Sequence, residues 1–264
     1  MARLRYGSAA RTDPATLAWI MGGLVVAAWL ALWRWGASPY AHYLDHGQRP
    51  SDPDGWTTLA LFLAGWTLMV VAMMLPTATA LLQAFGAVVR RRPGRGWLQA
   101  AMTVGFVASW LLVGYLFRAA DLGVHRLVAS VGWLQARPQL LGGATLVLAG
   151  LYQLSPLKYR CLVACRSPRS FIYRHWQGRR PAGDALRIGM AYGWSCVGCC
   201  WALMLVMFAL GLSSLLWMLG LGVVMAAEKT TRAGLRLAVP VGGLLVAAGI
   251  AVLLHNPGTG VPGA

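Results

Sequence analysis

Apolar residues along this chain gather into six long uncharged runs: Thr16 to Trp33, Gly55 to Val89, Gly96 to Phe117, Pro138 to Leu157, Ile188 to Ala227 and Leu237 to Leu254. A membrane-crossing helix needs roughly 20 predominantly apolar residues, so five of the runs hold one span each. The 40 residues from Ile188 to Ala227 are too many for one crossing at about 1.5 Å of rise per residue, and Gly211, Ser213 and Ser214 offer a hairpin turn within them. The pattern predicts an all-α fold, a polytopic membrane helix bundle of about seven transmembrane helices. The sixth span is the shortest.

The basic residues orient this bundle. With the N-terminus cytoplasmic, Arg3, Arg5 and Arg11 precede the first span, and Arg90, Arg91, Arg92 and Arg95 fill the second-to-third connection. Lys158, Arg160, Arg166, Arg169, Arg174, Arg179, Arg180 and Arg187 fill the fourth-to-fifth, and Lys229, Arg232 and Arg236 the sixth-to-seventh. That leaves Arg34, Arg49, Arg118, Arg126 and Arg137 outside, so 18 of 23 basic residues lie inside, as the positive-inside rule requires. A six-span chain would put one of the last two basic connections on the wrong face. The expected location is therefore the cytoplasmic (inner) membrane, multi-pass, with the N-terminus inside and the C-terminus outside.

Composition agrees with this picture. Charged residues are 11% of the chain and hydrophobic ones 58%, outside the range of soluble domains. The net charge of +16 comes from residues flanking spans, so the bilayer and its anionic head groups are the expected partner, and no nucleic acid is. The first run is longer than a secretory signal core and lacks a small-x-small cleavage site, which makes it a retained signal anchor. We expect one integral membrane domain over residues 1–264, with a cytoplasmic basic loop at 158–187 holding most of the soluble mass and a disordered tail at 256–264.

Candidate chemistry is concentrated in five cysteines. Cys196, Cys199 and Cys200 fall within about a 100° arc of one helix face, and Met204 and Met207 continue it. Cys161 and Cys165 lie four apart, just past the fourth run. On the cytoplasmic side or in the inner half of the bilayer these thiols are expected to be free rather than disulfide-bonded. Thiolates and thioethers are soft ligands suited to Cu(I), and the thiolates alone also suit zinc. Three neighbouring thiols on one helix cannot complete a relaxed tetrahedron, so the Cys161 segment must fold back toward the bilayer, or the fifth span must start deep, for the two groups to meet. Packing cysteines are the plain alternative, weakened by their number and spacing.

Other residues carry weaker signals. Met73 and Met74 precede Pro76, which removes a backbone donor from the second span. Met218 and Met225 are seven apart on the sixth. Gly189 and Gly193, spaced four apart, let another helix approach the fifth span just before Cys196. Glu228 stands at a span end, able to ligate a metal, relay a proton or pair with Lys158. On the outer side His42, Asp45 and His46 share a helical face, with Asp52 and Asp54 nearby, and read as a solvated loop before a metal-capture site.

These motifs converge on one resemblance. Ala72-Met73-Met74-Leu75-Pro76, Tyr152-Gln153-Leu154-Ser155-Pro156-Leu157-Lys158, Cys161, Cys165-Arg166-Ser167-Pro168, Gly189, Gly193, Cys196, Gly198-Cys199-Cys200-Trp201, Leu203-Met204, Trp217-Met218 and Glu228-Lys229 resemble a bacterial family of predicted metal-binding integral membrane proteins, sometimes labelled copper chaperone. The likeness spans roughly Leu59 to Lys229. Where that family leads us to expect Gly-Met-Asn before the Trp-Met pair, this chain has Gly211-Leu212-Ser213, so a methionine ligand there is absent.

The leading expectation is a membrane protein handling or delivering Cu(I) through a Cys/Met site between helices. Its metal ligands would be Cys196, Cys199, Cys200, Cys161, Cys165, Met204 and Met207, with a cuproenzyme client or a soluble copper carrier as partner. The alternatives are a transporter of a metal or small solute near Pro76 and Pro156, and a thiol oxidoreductase using Cys196 and Cys199. An oxidoreductase needs a depressed thiol pKa from a helix N-terminus or nearby cation, and Cys196 lies well inside its span. Metal binding without catalysis is the expectation.

Overall fold

A computed structural model describes residues 14–38, 55–135, 137, 139–210 and 215–255. The His42, Asp45, His46, Asp52 and Asp54 group, the 211–214 turn and the 256–264 tail lie outside the described residues. The described elements are all helical: α1 (Pro14–Gly36), α2 (Gly55–Val88), α3 (Arg95–Ser130), α4 (Gly132–Gln135), α5 (Gln139–Gln153), α6 (Pro156–Arg166), α7 (Pro168–His175), α8 (Pro181–Leu210), α9 (Leu215–Thr230) and α10 (Gly234–Leu254). Large apolar side chains cover the outer surface, among them Trp56 at 83%, Leu216 at 81% and Leu244 at 71% exposure. Such a surface suits hydrocarbon and not water.

Five helices, α1, α2, α3, α8 and α10, are long and apolar enough to cross a membrane, or six if the bent α5–α6 pair counts as one span. The seven expected from the runs exceed this number because α9, at 16 residues, falls below full spanning length. Helix directions give independent information. Trp66 Nε1 donates to the Trp110 carbonyl at 2.8 Å, and the Gln99 amide lies against Gly86, so α2 and α3 are antiparallel. Gly105 lies against Leu186 and Met190, and Gly193 against Ser109, so α3 and α8 run parallel. On the other face Gly143 meets Gly249 and Gly150 meets Gly242, which makes α5 and α10 antiparallel. Tyr152 reaches Gly198 while Ala149 clusters with Ala202 and Val206, so α5 opposes α8. Met73 abuts Gly222 while Thr77 reaches Lys229, so α9 follows α2. The order α2, α3, α5, α8, α9, α10 therefore alternates in direction along the chain.

The α3–α8 seam explains the glycine spacing read from the sequence. A Cβ at Gly189 would strike the Met102 carbonyl, and one at Gly193 would lie 2.7 Å from Ser109 Oγ. Only the missing side chains let these backbones approach so closely. This seam seats α8 in the middle of the bundle, where 67% of its apolar window is buried against 17% for α10.

The 158–187 stretch, expected as a basic loop, is helical in α6, in α7 and at the start of α8. Pro156 lacks an N–H and restricts Ser155 to extended backbone, so α5 stops. The same proline suits the first turn of a new helix, which Ser155 caps by accepting from the Lys158 N–H at 3.2 Å. The outcome is a 62° bend that lays α6 back against α8. Pro168 likewise opens α7 after Ser167, here without a side-chain cap. Lys158, counted above as a loop cation, is only 1% exposed, and Lys229 is buried as well.

Candidate metal centre

Four helices build the centre. From α8 come Cys196, Cys199 and Cys200, whose Sγ atoms all lie within 4.8 Å of one another. From α6, Cys165 brings its Sγ to 3.7 Å from that of Cys199, so the expected fold-back is realised by the Ser155-Pro156 bend. From α2, Met74 Sδ lies 3.9 Å from Cys196 Sγ and 3.8 Å from Cys200 Sγ. From α9, Lys229 Nζ lies 3.0 Å from Cys196 Sγ, 3.4 Å from Met74 Sδ, 3.4 Å from Thr77 Oγ1 and 3.9 Å from Cys200 Sγ. All five cysteines are free thiols. The Cys165, Cys196, Cys199, Cys200 and Met74 side chains are buried, while Cys161 is half-buried against Gly198, where an added Cβ would sit 2.5 Å from its Sγ.

The backbone around the sulfurs is tied down by side chains. Tyr192 Oη donates to the Cys165 carbonyl at 2.8 Å and Tyr152 Oη to the Gly198 carbonyl at 2.6 Å. Tyr152 also packs its ring 4.8 Å from that of Trp201. Arg166 donates to the Glu228 carbonyl at 2.7 Å, joining α6 to α9. Cys199 and Cys200 turn their thiols back to the Cys196 carbonyl at 3.1 and 2.8 Å. These ties hold the sulfur positions without help from a disulfide.

Beside the sulfurs lies a second polar cluster. Lys158 Nζ donates to Glu228 Oε2 at 2.7 Å, and Gln153 bridges the two, accepting from Lys158 and donating to the other Glu228 oxygen. Of the roles open to Glu228, pairing with Lys158 is the one the geometry displays. Adjacent helical residues point about 100° apart, so Glu228 and Lys229 enter different clusters.

Four of the five cysteines expected to meet do lie together, while the methionine that packs against them is not one of the two favoured from the sequence. Met204 and Met207 are fully buried further along α8, yet the thioether within 4 Å of cysteine thiols is that of Met74. Lys229 and Gln153 stood in the motifs without a role at the site, and Thr77 was not singled out. Thr77 and Met74 flank Pro76, and Lys229 follows Glu228 at a span end, which are the signals that were available. Chemically, the centre offers four thiols and one thioether in a water-poor chamber with one ammonium, a donor set fitted to a soft cation and poorly fitted to hard ones.

A family model described as PpoB2, copper chaperone, matches residues 63–252, a stretch that takes in Met74, all five cysteines, Glu228 and Lys229. No curated protein and no solved structure matches the chain.

Proposed function

The chain belongs to this copper chaperone family, and on that premise we propose that it is a non-catalytic integral membrane carrier that binds Cu(I) through sulfur between its helices and passes it to a client protein. The observation that carries this reading is the convergence of Met74, Cys165, Cys196, Cys199 and Cys200 from three helices onto one buried chamber. Cys196, Cys200 and Met74 are the primary ligands in this reading. Cys199, Cys165 and the half-buried Cys161 form a thiol series leading from the surface to them. Met204 and Met207 are the next soft donors, about 6 and 10 Å of helical rise beyond Cys200. Burying bare thiolates in hydrocarbon is costly, and a bound cation offsets that cost. Zinc would use the thiolates alone and leave Met74 idle, which is why Cu(I) is preferred here.

The alternating helix directions support α9 as a further crossing and hence seven in all, with the N-terminus cytoplasmic and the C-terminus outside. Reporter fusions at Gly178 and Gly260 should then fall on opposite sides of the inner membrane, and finding both on one face would overturn that topology.

The oxidoreductase alternative gains one observation, the Lys229 ammonium beside Cys196, which supplies the cation found lacking in the sequence. It is disfavoured by access, since Cys196, Cys199 and Cys200 are each at most 2% exposed and closed to a thiol substrate. Metal content of the protein purified under reducing conditions tests the carrier reading directly. Wild type should hold Cu(I) with sulfur neighbours in X-ray absorption, and a Cys196→Ser, Cys199→Ser, Cys200→Ser triple variant should lose it. Nitrogen and oxygen neighbours only, or unchanged metal content in the triple variant, would return the cysteines to a packing role.

A further inference from the structure

The two faces of the sulfur cluster differ in what they meet. Cys199 turns toward Cys165 on α6. Cys196 and Cys200 turn toward Met74 on α2, and Lys229 Nζ is set against this second group, touching both thiols and the thioether as well as the Thr77 hydroxyl. Among the described residues no carboxylate lies within ion-pair distance of Lys229, because Glu228 is committed to Lys158. A buried ammonium without a carboxylate must find its negative charge elsewhere, since an unpaired charge in a low-dielectric interior is strongly disfavoured. Among the described residues, the groups touching Nζ that can supply it are the Cys196 and Cys200 thiols, with Cys199 next to them.

A simple count of charge follows. Two thiolates bring two negative charges, the thioether brings none, and the ammonium returns one positive charge. The pocket formed by Cys196, Cys200, Met74 and Lys229 thus carries one net negative charge when its thiols are deprotonated. A monovalent soft cation makes it neutral, whereas a divalent cation reaches neutrality only by drawing in a further thiolate such as Cys199. Electrostatic interactions are amplified in such a setting, so one charge decides between the two classes. We infer that Lys229 is a specificity-determining residue, setting to plus one the charge of the cation that the Cys196–Cys200–Met74 pocket accepts.

This rests on the soft-metal reading above and adds to it a reason why one soft cation is taken over another. Removing the ammonium should not merely weaken the site. With Lys229→Met the pocket keeps its two thiols and its thioether but has two negative charges to balance, so preference should pass from monovalent to divalent soft cations. A residue that served only to hold α9 against α2 would, when lost, weaken both classes together. The side chain contributes to selectivity through charge, so Lys229→Arg should preserve the order of preference.

The test uses the full chain in detergent under reducing conditions, with Ag(I) as the redox-stable monovalent probe and Cd(II) as the divalent one, each titrated against a competing chelator. The ultraviolet sulfur-to-cadmium charge-transfer band reports thiolate ligation directly. Wild type and Lys229→Arg should prefer Ag(I). Lys229→Met should lose at least about tenfold in Ag(I) affinity, in line with the loss of a group neighbouring metal ligands, while its Cd(II) affinity holds or rises. Equal loss of both cations in Lys229→Met, or no change in their ratio, overturns the inference while leaving the metal centre in place. Wild type binding neither cation overturns the metal centre itself and the inference with it. Should Lys229→Met fail to accumulate, Lys229→Gln removes the same charge and is judged by the same ratio.

Discussion

Two lysines are buried at the centre of this bundle, and they are kept there by different means. Lys158 has oxygen partners, a carboxylate at 2.7 Å and a bridging amide. Lys229, one residue along from that carboxylate, faces sulfur and a single hydroxyl. The first arrangement is closed, in that every charge has its counter-charge inside the protein. The second is open, because its balance depends on the protonation of thiols and on what they bind. A closed pair serves architecture, here the clamping of α5, α6 and α9 around the bend at Pro156. An open one fits the exchange proposed above.

The largest effect should come from breaking the closed pair. Glu228→Ala strands the Lys158 ammonium and should cost about 3–5 kcal/mol in unfolding measured in mixed micelles. Replacing both partners together, Lys158→Met with Glu228→Leu, should recover most of that loss. A double variant as unstable as the single would show that the pair is not what matters. Next in size, Gln153→Leu removes the bridge and leaves donors and acceptors short of partners, for a loss of about 1–3 kcal/mol. Lys229→Met, by contrast, should leave metal-free stability within about 1 kcal/mol, since an apolar chain of similar length sits acceptably among thiols and a thioether. A loss as large as that of Glu228→Ala would erase the distinction between the two lysines. Smallest of all, Thr77→Val removes one hydroxyl contact to Lys229 and the bond to the Met74 carbonyl, worth about 0.5–1 kcal/mol, and should be just resolvable by thermal unfolding.

The same contrast marks how far the sequence could be read. Residues within one helix were legible: the three cysteines of α8 share a face by spacing alone, and Gly189 and Gly193 announce a close neighbour without naming α3. Pairing with Lys158 was one of three roles the sequence left open to Glu228, since opposite charges near hydrocarbon have few other options. Met74 and Lys229 were not placed at the cysteines, because their proximity is created by packing between helices distant along the chain. Met204 and Met207 were favoured for sharing a helix with the cysteines, yet the side chains that close a site come from the facing helices. Basic content made 158–187 look like a loop, while the two Ser-Pro steps that restart helices there carried the truer signal. The sixth span was already the shortest in the sequence, and the length of α9 is where the expected count and the described helices part.

That Met74 and Lys229 meet has a consequence for how the protein is made. The two residues are separated by 155 positions. At synthesis rates of about 5–20 residues per second, roughly 10–30 s pass between the appearance of one and of the other. In the later part of that interval the thiols of α6 and α8 emerge ahead of their final neighbour from α9. On the proposed carrier reading, loading would wait for the last helices to be inserted. A cation that binds only the finished arrangement then stabilises it by mass action, so cargo capture would also act as a check that assembly is complete.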